Sequence, residues 1–275
     1  MEHEQQVMKR NRFEFGVNWS LFLRDLNEER VTLAIDSLKH SLNVKDLSGK
    51  RFLDIGSGSG LFSLAARRLG ATVFSFDYDP QSVACTRHLK ERFSPVDSNW
   101  TVEEGSTLDA NYMKQLGQFD VVYSWGVLHH TGAMWQALEN ASSMVLDGGV
   151  LFISIYNDQG PKSNRWLLVK RAYNKLPRGW RWLVWFPALV KIWWPTVARD
   201  LIRGRPLYSW KNYPKTGIRG MSAFRDLIDW VGGLPFEVAT PEEIYDFYYK
   251  RGFTLERMKT CGGGIGCNEF VFSKK

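Results

Sequence analysis

Three groups of residues carry types and spacings suited to chemistry. The first is the run 51–60, Arg-Phe-Leu-Asp-Ile-Gly-Ser-Gly-Ser-Gly, in which Gly56, Gly58 and Gly60 alternate behind an apolar stretch. Alternating glycines let a chain turn tightly and bring its backbone close to a ligand with no Cβ in the way. Asp54 stands just ahead of them. Its carboxylate would repel a pyrophosphate, the guest of the spacing G-x-G-x-x-G, and would favour a ligand with an ammonium group and a sulfonium centre. The second group is Asp77, 17 residues beyond Gly60, near where an acid can accept hydrogen bonds from both hydroxyls of a ribose. The third is the pair His129 and His130, imidazoles able to take a proton near neutral pH.

These groups need elements to hold them. Residues 51–55 read as a short buried strand and 61–69 as a helix. Residues 72–76 form a second strand, ending at Asp77, with Asp79 as N-cap and Pro80 at the first turn of the next helix. A third strand, 100–103, runs into Glu104-Gly105-Ser106-Thr107. A fourth, 119–124, leads into Trp125-Gly126-Val127-Leu128-His129-His130. A helix over 134–145 and a turn over 146–149 precede a fifth strand, 150–156. Thr240 and Glu243 form a capping box with Pro241 at the first helical position, predicting a helix over 242–251, then strands over 253–259 and 268–273. Alternating strands and helices imply an α/β fold: a Rossmann-like, mostly parallel sheet of seven strands with helices on both faces, the last strand antiparallel. Ligands of such sheets bind outside the carboxyl ends of the strands. That edge carries Trp125, Gly126, His129 and His130.

The motif Asp54-Ile-Gly-Ser-Gly-Ser-Gly60 resembles the first motif of the class I S-adenosylmethionine-dependent methyltransferases, and the resemblance runs continuously over 51–156. It implies S-adenosyl-L-methionine as cofactor, held by Asp54, Gly56, Ser57, Gly58, Gly60, Asp77, Tyr78, Ser106, Thr107, Trp125 and Gly126. Where the family often has a Gly-Asp pair touching the adenine, Gly105 is followed here by Ser106. The stretch 119–130 is similar to the family's fourth motif, and Leu146-Asp147-Gly148-Gly149 to its usual approach to the fifth strand. N-terminal segments of the family often close over the cofactor, which makes Trp19 a lid candidate.

Composition divides the chain. Of 275 residues, 44% are hydrophobic and 24% charged, as expected of an ordinary folded protein. Net charge is +7, yet residues 162–219 hold 14 of the 36 Lys and Arg against one acid, Asp200. The remaining 22 cations face 28 acids. The same segment has seven of the twelve tryptophans. The expected division is therefore an N-terminal helical cap (1–50), a methyltransferase core (51–156 and 240–275) and a basic, Trp-rich insertion (157–239). The insertion's apolar run, interrupted by Pro187 and Lys191, is too short for a membrane span. Its mixture of Trp, Tyr and Arg fits a helical lid, peripheral membrane contact through 179–210, or, ranked lower, a nucleic acid. Cys85, Cys261 and Cys267 form neither a disulfide framework nor a metal-ligand cluster. The N-terminal residues lack a signal-peptide pattern, and a cytoplasmic location is expected.

Transfer of a methyl from a sulfonium is an in-line displacement in which orientation can contribute ~7–11 kcal/mol. A hydroxyl acceptor also gains from a base, typically about 10²–10⁴ in rate. His129 and His130 are the catalytic candidates, with His129 slightly ahead and the two side chains expected to diverge. Trp19, Tyr156, Asn157, Arg165 and Lys170 are substrate-side candidates, joined by Asn268 and Glu269 in the last loop. The expected activity is methyl transfer to a small or lipid-like acceptor, at a hydroxyl oxygen. The alternatives are an RNA methyltransferase and a catalytically silent protein docking on a membrane or a partner.

Overall fold

The structure is a computed structural model and describes residues 2–10, 12–24, 26–216 and 222–275. In chain order it contains α1 (Glu2–Met8), α2 (Phe15–Arg24), α3 (Glu28–Leu42), β1 (Arg51–Ile55), α4 (Leu61–Arg68), β2 (Thr72–Asp77) and α5 (Pro80–Phe93). There follow β3 (Trp100–Glu104), α6 (Ala110–Leu116), β4 (Phe119–Trp125), a 3-10 turn (Leu128–His130), α7 (Met134–Ser143) and β5 (Val145–Tyr156). The rest is α8 (Pro161–Lys175), a second 3-10 turn (Arg178–Trp180), α9 (Trp182–Ile202), α10 (Tyr208–Thr216), α11 (Ala223–Gly232), α12 (Pro241–Tyr249), β6 (Phe253–Lys259) and β7 (Cys267–Lys274). By mutual contact the chain divides into two units: Phe15–Gly160 with Pro235–Lys275, and Met1–Glu14 with Pro161–Leu234. Drawn this way, the boundaries expected near 50, 156 and 239 lie at 14, 160 and 234.

The first unit is built on a seven-stranded sheet in the order β3-β2-β1-β4-β5-β7-β6. Strands β1 to β5 pair in parallel, and β7 runs antiparallel to both β5 and β6. Because β1 has β2 on one side and β4 on the other, the crossovers leave in opposite directions there and open a crevice at the carboxyl ends. Alternation along the strands sends Phe52, Tyr123 and Phe152 to one face, where Phe62 of α4 joins them; the Tyr123 and Phe152 rings stack at 4.7 Å. The opposite face presents Leu53, Val122, Ile153, Phe270 and Phe272 to a core shared with Leu138 and Tyr248. Fully burying a side chain of this size contributes ~1.5–3 kcal/mol. The Tyr248 hydroxyl, buried with them, donates to the Leu138 carbonyl at 3.3 Å. The capping box of α12 forms as the residues predict.

Strand β5 starts at Val145, five residues earlier than its apolar run. Val145 pairs with Phe119, the register shifts, and Val150 then pairs with Val121. The expected turn over 146–149 is an irregularity inside the strand, with Gly148 at φ +76°.

The second unit is helical. Lys170 of α8 is fully buried, donates from Nζ to the Trp230 carbonyl and lies 4.5 Å from that indole's centroid. Trp166 meets Trp230 edge-on at 5.4 Å, and the Asn174 amide donates to the Gly232 carbonyl at 2.7 Å. Helix α9 runs unbroken through Pro187 and Pro195. Each proline lacks an N–H and leaves a carbonyl one turn earlier unbonded. Both are exposed, on a side of the helix where water can reach.

Candidate active site

Strand β1 delivers the chain into a loop of three left-handed glycines, at φ +76° (Gly56), +56° (Gly58) and +80° (Gly60). A Cβ on Gly56 would lie 2.4 Å from a methyl of Val127, and one on Gly58 would lie 2.9 Å from the Trp19 indole. The loop is therefore squeezed between the β4 exit and α2, and only glycine fits. The amides of Gly56 and Ser57 donate to the Phe76 carbonyl at 2.8 and 3.1 Å, and the Ser57 hydroxyl pairs with Thr86 at 2.9 Å. Trp19, the lid candidate, thus covers the glycine loop.

Both acids are bound into this corner. Asp77 accepts from the Gly58 amide at 2.9 Å on one oxygen and from the Asp79 amide at 2.9 Å on the other. An ionised carboxylate has further lone pairs for hydroxyl donors. Asp54 is buried behind the loop and accepts from the Ser63 hydroxyl, which also contacts Ser75; the Trp100 indole N–H reaches Ser75 at 2.9 Å. Burial pushes the Asp54 carboxyl up to about 7; the Ser63 hydrogen bond opposes this and the charge of Asp77 adds to it.

Asp79 performs two tasks, of which its sequence context reveals one. It caps α5 by accepting from the Gln81 amide at 2.9 Å, and its other oxygen accepts from the Gly16 amide at 2.8 Å. A Cβ at position 16 would lie 2.4 Å from the Gln81 Cβ. This clasp seats the first turn of α2, the helix that carries Trp19.

At the adjacent strand end, Ser106 accepts from the Leu108 amide at 3.2 Å. Thr107 is buried, and its hydroxyl finds no hydrogen-bond partner among the described residues; its carbonyl accepts from the Asn140 amide at 2.7 Å. Tyr78 is half-buried at the β2 exit. Trp125 donates from Nε1 to Glu269 at 3.1 Å, and Gly126, at φ +71°, has open space where a Cβ would stand.

The histidines converge rather than diverge. Their rings lie 4.4 Å apart, and both meet Tyr156, His129 at 3.9 Å and His130 at 5.2 Å edge-on. The 3-10 turn draws them together against the end of β5. Their hydrogen bonds assign different tautomers. His129 Nδ1 accepts from the Tyr156 amide at 3.3 Å, so a neutral ring carries its proton on Nε2. His130 Nδ1 lies 2.5 Å from the Pro235 carbonyl. A carbonyl only accepts, so Nδ1 holds the proton and the Nε2 lone pair is the basic site. Phe15 packs on the His130 ring at 4.9 Å. Nothing in the sequence near His130 announces Pro235 as its partner, 105 positions away.

The remaining substrate-side candidates separate. Tyr156 stays in the histidine cluster and also meets Phe236 at 5.4 Å. Asn157 is turned into the fold: it accepts from the Asn268 amide at 3.0 Å and donates to the Gly264 carbonyl at 3.3 Å, while Asn268 accepts from the Cys261 amide at 3.1 Å. These bonds pin the glycine-rich β6–β7 loop to the end of β5. Arg165 is exposed on α8, and Lys170 is buried within its own unit.

A glycine corner at the switch point of this sheet, with an acid at the next strand end, defines an α/β nucleoside-cofactor site. Residues 27–202 match the family model for a methyltransferase domain. A ubiquinone biosynthesis O-methyltransferase of Xanthomonas campestris pv. campestris is 31% identical over 179 residues, covering 63% of this chain and 73% of that protein. Among solved structures, magnesium protoporphyrin IX methyltransferase of Synechocystis aligns with TM-score 0.52 at 15% identity, over 91% of this chain and 89% of that one. An O-methyltransferase family protein of Burkholderia thailandensis aligns with TM-score 0.53 at 13% identity, over 89% and 57%. At those identities the two structures speak to the fold alone. The chain belongs to the methyltransferase-domain family, in its class I, S-adenosylmethionine-dependent group.

Proposed function

We propose that this enzyme moves the methyl group of S-adenosyl-L-methionine to a hydroxyl oxygen of a small or lipid-like acceptor. The observation that carries the oxygen assignment is the His130 tautomer, fixed by the Pro235 carbonyl so that Nε2 is free of a proton. The similarity to a ubiquinone biosynthesis O-methyltransferase supports the same choice.

The residues fit the donor. The buried Thr107 hydroxyl is an orphaned polar atom at a strand end where an adenine amine would find an acceptor. Asp77 can take ribose hydroxyls while it braces Gly58. Asp54, held partly protonated by burial, becomes a better-stabilised anion once a cation is nearby. The bound donor supplies an electrophilic methyl on a sulfonium. The chain's own contribution is to orient, to exclude water and to remove a proton. Trp19 and the glycine loop close one side of the site. His130 Nε2 accepts the acceptor's hydroxyl proton as the oxygen attacks, while His129 and Tyr156 hold the ring in place from the β5 side.

The basic, Trp-rich segment supports peripheral contact of residues 179–210 with a membrane, where lipid-like acceptors reside. Incubating the protein with methyl-labelled donor and separate lipid, small-metabolite and RNA fractions tests the reading. Alkali-stable label in a lipid or small hydroxylated molecule is expected. Label in RNA would transfer the assignment to RNA methylation, and absence of label with donor bound would identify a silent relative. Donor binding is checked by calorimetry on Asp77→Ala, for which a loss of about 10–100-fold is expected from hydrogen bonds to a charged acceptor.

A further inference from the structure

Helix α9 is amphipathic the wrong way round for a helix that only packs on its own unit. One side is satisfied: Trp185 meets Phe224 edge-on at 5.3 Å, Trp193 meets Trp210 at 4.6 Å and Tyr213 at 5.4 Å, and Ala188 is buried. The other side presents Leu183, Phe186, Val190, Trp194 and Leu201, each between 44% and 61% exposed. Their spacing follows helical turns. They form one stripe about 27 Å long at 1.5 Å per residue. Isolated exposed apolar residues are ordinary, but a contiguous stripe of large ones marks a docking surface.

Three observations name the occupant. Exposed cations stand on the same helix and just beyond its end, Lys191, Arg199, Arg203 and Arg205, while Arg178 before it is paired with Glu14 at 3.3 Å. The one acid of the helix, Asp200, is buried and spends its carboxylate on the amide and hydroxyl of Ser209 at 2.7 and 2.8 Å. The exposed charges of α9 itself are therefore all positive, and the surface they complement is negative. Aromatic residues with a polar edge stand at both ends, Trp180 before the helix, Trp182 at its first position and Tyr208 after it, each at least half exposed. Such rings prefer headgroup depth. No described helix is long and apolar enough to cross a membrane, so α9 would lie along a bilayer.

We infer that α9 is an in-plane membrane helix that docks on anionic phospholipid, with the Leu183–Leu201 stripe at the acyl boundary and the flanking Arg and Lys at phosphate depth. Insertion gains from apolar burial, and attraction to an anionic surface adds for each nearby cation. The exposed Pro187 and Pro195 suit this placement, because hydrated headgroups can satisfy the carbonyls they leave unbonded. The inference deepens the membrane contact proposed above by naming its helix and its lipid, and because it is read out without turnover its failure leaves the methyl-transfer reading standing.

The test is co-sedimentation of the full chain with vesicles of equal parts phosphatidylcholine and phosphatidylglycerol, against vesicles of phosphatidylcholine alone. Binding to the anionic vesicles that weakens with added salt is expected. The double substitution Phe186→Ser, Trp194→Ser should lower partitioning by about tenfold or more per residue, with far-UV dichroism and melting temperature unchanged because both side chains are exposed. Arg199→Ser with Arg203→Ser should lower it by about fivefold per charge. No binding at low salt would overturn the inference. So would equal binding to both vesicle types that the Phe186/Trp194 variant retains. A dimer in sedimentation velocity, abolished by that variant while vesicles stay unbound, would give the stripe to a second copy of the chain. RNA that displaces the protein from vesicles and binds it more tightly would overturn it as well.

Discussion

Asp54 carries the clearest pH signature among the described residues. Its carboxyl is raised to about 7, first by burial, with Asp77 adding and Ser63 opposing. The folded chain therefore holds a proton that the unfolded chain releases near the ordinary carboxylate value. For a raised acid, the stability contribution is largest below the unfolded pKa and is lost as pH rises through the folded one. The donor-free protein should thus lose stability between about pH 4 and about pH 7 from this group, and Asp54→Asn should flatten that slope in melting curves. Donor binding has the opposite sign. A cation near Asp54 favours its anion, so affinity should rise with pH up to about 7 and then level, with proton release visible in calorimetry in buffers of different ionisation enthalpy. The histidines make a second prediction. His130→Ala should cut kcat by about 10²–10⁴, leave donor affinity intact, and respond to added imidazole. His129→Ala should instead lower the melting temperature, since the Tyr156 amide loses its acceptor at a cost of ~1–3 kcal/mol. The two residues looked equivalent in the sequence, with His129 slightly ahead. What separates them is which backbone group faces each Nδ1, and Pro235 is brought there only by the tertiary fold.

At the scale of elements, local chemistry was readable wherever a residue's neighbours in sequence are also its neighbours in space. The glycine loop, the acid closing β2, the Asp79 and Thr240 caps and the seven strands all follow from short-range pattern. Long-range clasps were not readable. Asp79 looks like a simple N-cap, yet its second oxygen holds Gly16 across 63 positions. Asn157 looks like a strand-end group open to substrate, yet it is spent on the β6–β7 loop. The clasp yields a test that runs against helix propensity. Gly16→Ala would ordinarily favour a helix by ~1 kcal/mol. Here the new Cβ would meet the Gln81 Cβ, so the substitution should displace α2, lower the melting temperature and weaken donor binding through Trp19.

For the whole molecule, composition separated a basic, Trp-rich insertion from an acidic remainder, and α9 within that segment bears both an exposed apolar stripe and exposed cations. Composition did not say which cations are scaffold. Lys170 counts toward the positive segment but is fully buried, with its ammonium on the Trp230 carbonyl and indole. Removing it leaves that carbonyl without its donor, a cost of ~1–3 kcal/mol. Lys170→Met should therefore destabilise the helical unit, seen as an earlier fluorescence transition because seven of the twelve tryptophans lie in residues 162–219. Calorimetric affinity for the donor should be unchanged.

The seating of Trp19 on Gly58 also bears on timing. The indole stands against the glycine loop proposed to hold the donor, and its helix is fastened by Asp79 only two residues beyond Asp77. A spent donor leaves a corner that its own cover keeps shut. Repeated turnover should then be paced by the uncovering of that corner, so rapid mixing should show a first round of labelled product about as large as the enzyme concentration, followed by a slower steady rate. Trp19→Ala should erase the difference between the two phases.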